Sequence, residues 1–288
     1  MTFLDFWQPN IDQEYPPLKA VLFDVDGTVV SGRDMMPGAD KVIEFLRKKN
    51  TPFLFLTNDG NHSTSQKARR ISRAGVEVQP EEIISCSHAL SDFVEQNSLA
   101  GSKAFVMGEL GSPCYAEAAG VIPCRNLEEI DECSFVIAGE SYFDWHDVFH
   151  GVMNYFITHR DSKLVVPNPD SYWPNSDTGK MGIGAGAQAR FIAGLLAEMK
   201  INIELVYLGK PYPAIYFYAL KKLQNNFNMP ELKVGEVLMV GDSLTSDIAG
   251  AQAINMPCAL VMTGITTPEL LAKTAPEKRP GLIFDSLM

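Results

Sequence analysis

The chain has 288 residues and a formal net charge of -11 at pH 7. That length supports one large domain, or a core domain carrying an inserted smaller one. The acidic balance, without a dense Lys/Arg block, argues against nucleic acid or an anionic membrane surface as the main partner, although one locally positive pocket suffices for an anionic substrate.

The chain opens on MTFLDFWQPNIDQEYPP, which is acidic, contains prolines, and lacks the basic region and apolar run of a signal peptide. These first 17 or so residues read as an N-terminal extension outside the core, packed on it through Phe3, Phe6 and Trp7. Residues 19–23 (KAVLF) predict a buried strand. Residues 38–49 predict a helix with apolar Val42, Ile43, Phe45 and Leu46, residues 53–56 a second buried strand, and residues 63–74 a second helix. The middle of the chain repeats the alternation. Strands are expected at 104–107, 135–138 and 164–166, and helices at 113–119, 146–160 and 188–199. Strand-like 204–208, helical 212–223, strand-like 237–240, helical 246–254 and strand-like 259–262 follow.

Short apolar runs alternating with helices imply an α/β fold with a mainly parallel, Rossmann-like sheet. About 120 residues in the middle are enough for a separate α/β unit. The expected division is a core of residues 1–83 and 204–288, with residues 84–203 inserted. No run approaches the ~18–20 apolar residues of a membrane span. Five cysteines, odd in number and without a CxxC, fit free thiols in a cytoplasmic protein.

The sharpest motif is FDVDGT, residues 23–28. Asp24 and Asp26 follow a buried strand directly, and Gly27 permits a sharp turn. Ligands of open α/β sheets gather at the carboxyl ends of strands, where both carboxylates would stand. Two ionised carboxylates ~4 Å apart repel by about 4 kcal/mol at an effective dielectric of 20. A hard cation such as Mg²⁺ is the natural compensation, because it prefers oxygen ligands. Alone, the hexapeptide also reads as an acidic strand-ending turn.

In VLMVGDSLTSDIAGA, residues 237–251, a second apolar strand runs into Asp242, with Asp247 five residues on. Asp242 could complete a metal site begun by Asp24. Asp247 suits either that site or a helix N-terminus. Lys210, in LGKPYP, would offset the carboxylates and hold a phosphate dianion as a point charge, or be an ordinary loop lysine. Thr57 and Asn58, in FLTND, can bind phosphate oxygens neutrally, or shape the turn before the next helix.

These four pieces, in their order along the chain (residues 24–28, 57–58, 210 and 242–247), resemble the haloacid dehalogenase (HAD) superfamily, whose first motif DxDG[TV] is matched by residues 24–28. An insertion between the Thr57 and Lys210 motifs resembles the class IIA, or NagD-like, subgroup with a C2-type cap. VMGELG, FVIAGE, PNPD and GIGAGA are similar to its cap landmarks. The resemblance covers residues 18–287 or so. It implies a Mg²⁺-dependent phosphatase of small phosphorylated metabolites, such as a sugar phosphate or nucleotide, working through an aspartyl-phosphate. In that scheme Asp24 is the nucleophile and Asp26 the acid/base. Thr57, Asn58, Lys210 and Ser243 bind the phosphoryl group. Asp24, the Asp26 main-chain carbonyl, Asp242 and Asp247 serve the metal. The resemblance also allows a homodimer through the cap, and points to Asn168, Asp170 and residues 179–188 as cap positions near the leaving group; the glycines of 179–188 read equally as close-packing or turn positions, and Asn168 and Asp170 as turn formers. Phosphoryl transfer to another acceptor and non-catalytic phospholigand binding are the competing readings. One departure stands out: the family often has TNN where this chain has Thr57-Asn58-Asp59. The pair His146 and His150, at i,i+4, reads as structural or exposed, and Trp145, Tyr155 and Phe156 as packing for the inserted unit.

Overall fold

The computed structural model describes residues 1–14, 17–141, 143–175 and 179–288. In chain order, helix α1 (Phe3–Ile11) precedes strand β1 (Ala20–Asp24), a small hairpin of β2 (Val30–Ser31) and β3 (Asp34–Met35), α2 (Ala39–Lys48), β4 (Phe53–Thr57), α3 (Thr64–Arg73) and β5 (Ile83–Ser85). Then come α4 (Leu90–Gln96), β6 (Lys103–Met107), α5 (Tyr115–Ala118), β7 (Ile122–Cys124), β8 (Phe135–Ala138), α6 (Trp145–Thr158) and β9 (Lys163–Val166). The antiparallel pair β10 (Tyr172–Asn175) and β11 (Lys180–Ile183), α7 (Ala185–Glu198) and β12 (Glu204–Tyr207) follow. The last part holds α8 (Pro213–Asn226), β13 (Val237–Gly241), α9 (Ala249–Ala253), β14 (Cys258–Val261), α10 (Pro268–Lys273) and β15 (Leu282–Phe284).

The chain divides into two compact units. One comprises Met1–Thr57, Thr64–Ile84 and Lys210–Met288; the other comprises Asn58–Ser63 and Ser85–Gly209. In the first, six strands lie in the order β15-β14-β13-β1-β4-β5. β1 pairs in parallel with β13, Val21 opposite Leu238, and with β4, Val21 opposite Phe53. All five residues of β1, β4 and β13 are buried, which explains their unbroken apolar runs: a parallel strand covered on both faces has no solvent side to make polar. From β1 the chain goes on to β4 on one side and only later returns to β13 on the other. The gap between β1 and β13 is therefore a topological switch point, the place where ligand crevices form in such sheets.

The N-terminal segment is not an extension outside the core. α1 buries Phe3 and Trp7 completely among Val21, Phe23 and Phe284, with Phe6 partly buried beside them. Phe3 stacks on Trp7 at 5.4 Å and meets Phe23 edge-on at 5.5 Å. Thr2 caps the helix and forms a capping box with Asp5.

The second unit holds the sheet β12-β9-β8-β6-β7, built of parallel pairs. Its core gathers Phe105, Val136, Val152, Tyr155, Phe156 and Ile192. Trp145 differs from expectation: it is half-buried and stacks on Phe149 at 5.7 Å. The carboxyl boundary also lies later than residue 203. β12 pairs with β9, Glu204 opposite Lys163, so the strand leading to Lys210 belongs to the inserted unit's sheet. Residues 58–63 join this unit as well. Within 179–188, glycine serves packing: a Cβ on Gly186 would lie 1.9 Å from the Pro169 carbonyl oxygen.

Candidate active site

Asp24 is the last residue of β1, and Asp242 follows β13 directly. These two strands are neighbours, so residues 218 positions apart in sequence stand at adjacent carboxyl ends. Thr57 ends β4, on the other side of β1, and is buried. Lys210 opens the return of the chain into this unit. Its ammonium donates to Asp24 Oδ1, to Asp247 Oδ1 at 2.6 Å, and to the Leu56 carbonyl at 3.3 Å.

Asp24, Asp242 and Asp247 each offer a carboxylate oxygen, and the three oxygens lie within 4.8 Å of one another. The residues are 7 %, 3 % and 1 % exposed, and Lys210 is 3 % exposed. Burial pushes the Asp24 carboxyl well above its usual range; Lys210 opposes this, while Asp247 and Asp242 add to it. Asp242 is pushed up to about 6, by burial first and then by Asp247. Burial pulls Lys210 downward, but Asp24 and Asp247 outweigh it and hold the ammonium charged, above its ordinary range.

Three buried carboxylates against one ammonium leave an excess of two negative charges when all are ionised. Each carboxylate pair costs about 3–4 kcal/mol at this spacing and an effective dielectric of 20. An all-oxygen donor set with that charge fits a hard divalent cation such as Mg²⁺.

Several contacts hold these groups in place. Asp242 Oδ2 accepts from the Ile265 N–H at 2.7 Å, and its carbonyl accepts from Thr266 Oγ1 at 2.5 Å. Asp247 Oδ2 accepts from the Ser243 N–H at 3.0 Å. Gly27 has φ +89°, and a Cβ there would lie 2.3 Å from Asp242 Oδ2; a Cβ on Gly264 would lie 1.8 Å from the same atom. Both positions must be glycine for the carboxylate to sit where it does. Thr263 Oγ1 donates to the Gly27 carbonyl at 2.8 Å, tying the turn after β1 to the loop after β14.

The other sequence candidates are placed differently. Asp26 is half-exposed and its carboxylate accepts from Arg70 Nη2 on α3. Ser243 caps the π-helical turn Leu244–Ile248, its hydroxyl accepting from the Ser246 N–H at 3.2 Å. Asp247 is therefore a buried partner of Lys210, and the capping role falls to Ser243. Asn58 belongs to the inserted unit, where its amide donates to both Asp170 oxygens at 3.2 Å. Asp59 accepts from the Asn61 and His62 N–H groups at 3.0 and 3.1 Å and contacts the His62 ring at 2.9 Å. Its carboxylate thus closes an Asx turn. Asn168 donates to Glu140 at 2.5 Å. His146 is exposed and pairs with its neighbour Asp147. Among the described residues, Asp24, Asp242 and Asp247 are the only group arranged to hold a metal ion, and no helix is long and apolar enough to cross a membrane.

Sequence reasoning missed Arg70, Ile265 and Thr266. Residues 63–74 were legible as a helix, but not what its arginines meet. A backbone donor such as Ile265 N–H leaves no signature in residue type.

Comparisons with known proteins agree with this geometry. Residues 21–122 match a family model described as haloacid dehalogenase-like hydrolase, and residues 207–288 match a HAD-hydrolase-like model. The chain is 26% identical over 259 residues to an acid sugar phosphatase of Staphylococcus saprophyticus, covering 88% of this chain and 90% of that protein. A Staphylococcus aureus acid sugar phosphatase is 27% identical over 255 residues, covering 87% and 89%. Among solved structures, NagD from Escherichia coli K-12 superposes with a TM-score of 0.78 at 26% identity, covering 94% of this chain and 97% of NagD. A glycerol phosphate phosphatase from Mycobacterium tuberculosis, solved in complex with magnesium, shares the fold with a TM-score of 0.77 at 23% identity, covering 94% and 76%. Two family models that together match residues 21–122 and 207–288, the sheet order and the strand-end carboxylates lead to one assignment: the chain belongs to the haloacid dehalogenase-like hydrolases, in their NagD-like class.

Proposed function

We propose that this hydrolase is a Mg²⁺-dependent phosphatase of small phosphate monoesters of the sugar phosphate class. The observation that carries the reading is the buried Asp24–Lys210–Asp247 contact beside Asp242 at the carboxyl ends of β1 and β13. The acid sugar phosphatases among its relatives support the substrate class. Buried thiols without disulfides suit a cytoplasmic setting.

In this reading Asp24 attacks phosphorus with one carboxylate oxygen. An O–P bond forms, the bond to the leaving oxygen breaks, and Asp26 delivers its proton to the departing alkoxide. Water then attacks the aspartyl-phosphate. Asp26 takes a proton from that water, the Asp24 O–P bond breaks, and inorganic phosphate leaves. Asp24, Asp242 and Asp247 would hold Mg²⁺, which when bound supplies positive charge to the phosphoryl oxygens and offsets the carboxylates. Lys210 neutralises part of the nucleophile's charge and meets the incoming dianion. Thr57, at the end of β4, offers a hydroxyl donor on the opposite flank of β1.

The test is Mg²⁺-dependent hydrolysis of p-nitrophenyl phosphate and a panel of sugar phosphates. Asp24→Asn should lower turnover by about 10⁴-fold while preserving the circular dichroism spectrum. Persistent turnover in that variant would remove Asp24 as nucleophile.

A further inference from the structure

The segment after Asp24 is tightly wound. The Gly27 N–H donates to the Val30 carbonyl at 2.7 Å, and the Val29 and Val30 N–H groups both reach the Val25 carbonyl at 3.0 Å. The hairpin β2–β3 follows, with Gly32 at its tip. This winding fixes the backbone of Asp26 but leaves its side chain half-exposed. Across from it, α3 buries Lys67, Ala68 and Ile71. Those positions set the helix's rotation, with Ala68 and Ile71 packed in the core. Arg70 is thereby presented to the wound segment at two points: Nη2 donates to Asp26 Oδ1, and Nε donates to the Gly32 carbonyl at 3.4 Å.

We propose that Arg70 is a positioning residue for Asp26, a planar fork that orients the carboxylate while anchoring the hairpin that follows it. The inference rests on the reading of Asp26 as acid/base, and gives Arg70 a role in proton delivery to the leaving oxygen. A half-exposed ion pair contributes little to folding stability. Orientation of a reacting group is far more demanding, since a displacement of about 1 Å can cost 10²-fold in rate. Loss of Arg70 should therefore appear in turnover rather than in the melting temperature. Lysine is a poor replacement, because one ammonium cannot reproduce the two-point geometry of the guanidinium.

The experiment compares two substrates with different demands for leaving-group protonation. Glycerol phosphate releases a basic alkoxide, whereas p-nitrophenyl phosphate releases a stable phenolate. Arg70→Ala should lower kcat for glycerol phosphate about 10-fold and for p-nitrophenyl phosphate less than about 3-fold, with both KM values within about 2-fold of wild type. Arg70→Lys should recover only part of the loss. In an Asp26→Asn background, Arg70→Ala should cause no further loss, because the two residues act as one unit. Equal losses on both substrates, an unchanged or raised kcat, or additive losses in the double variant would overturn the proposal. Wild-type turnover of both esters bears on the phosphatase reading alone, and its absence would overturn both. Arg70→Gln replaces Arg70→Ala if the latter melts more than about 5 °C below wild type.

Discussion

The Lys210 ammonium lies 2.6 Å from Asp247 Oδ1, and both residues are almost wholly buried. Asp247 thus links the cation to the turn after β13, where its other oxygen accepts from the Ser243 N–H. Lys210→Met would leave three buried carboxylates without their cation. A loss of about 3–5 kcal/mol in unfolding free energy is expected without divalent metal, because an unpaired buried charge is costlier than the pair. Urea unfolding with and without Mg²⁺ measures this, and added metal should return part of the lost stability.

Gly264 lies against the Asp242 carboxylate, with no room for a methyl group. Gly264→Ala must push Asp242 off its contact with the Ile265 N–H. Mg²⁺ affinity should fall about 10–100-fold, the range seen when groups that orient a ligand are disturbed. Calorimetric titration with MgCl₂ reads this directly, and an unchanged affinity would show that Asp242 does not need its observed position.

Glu140, in the inserted unit, offers a pH dependence of its own. Burial pushes its carboxyl up to about 7, against the opposing hydrogen bond from Asn168. A raised folded value means the native state binds more protons than the unfolded state between pH 4.5 and 7. The contribution to stability is therefore present at low pH and falls as pH rises through that window. Relative to wild type, Glu140→Gln should gain up to about 3 kcal/mol on going from pH 4 to pH 8. Denaturant titrations of both proteins at the two pH values isolate this difference from all other groups.

Trp7 has no exposed surface and stacks on Phe3 inside the first unit's core. Trp7→Ala should cost about 3–5 kcal/mol in stability. With the protein still folded, KM for p-nitrophenyl phosphate should stay within about 2-fold of wild type. A variant as stable as wild type would mean that α1 detaches in solution.

Asp24, Asp242 and Thr57 were legible because a buried parallel strand writes itself as an apolar run, and its next polar residue stands at the active edge. Lys210 was legible as a cation near that edge, and so was the strand before it, but not the sheet that this strand joins. Residues 204–208 look the same whether they pair in one sheet or the other, because pairing partners are chosen by long-range packing. The same limit hid α1: its apolar positions showed a packed face, while the depth of Phe3 and Trp7 depends on Phe23 and Phe284. Of the two roles open to Asp247, the structure gives it the buried one beside Lys210, and Ser243 caps the π-helical turn, a division that residue type alone does not decide. Asn58 and Asp26 were found as residues, but their partners, Asp170 and Arg70, lie 112 and 44 positions away.

The sheet order has a consequence for how the protein comes into being. β1 leaves the ribosome well ahead of its β13 neighbour, which arrives with the Asp242 and Asp247 carboxylates more than 200 residues later. At about 5–20 residues per second, that is a wait of roughly 10–40 seconds. Throughout it, one side of β1 lacks its pairing partner and the three-carboxylate cluster does not exist. Hydrolytic competence is therefore withheld from the nascent chain until β13 and the turn after it have docked.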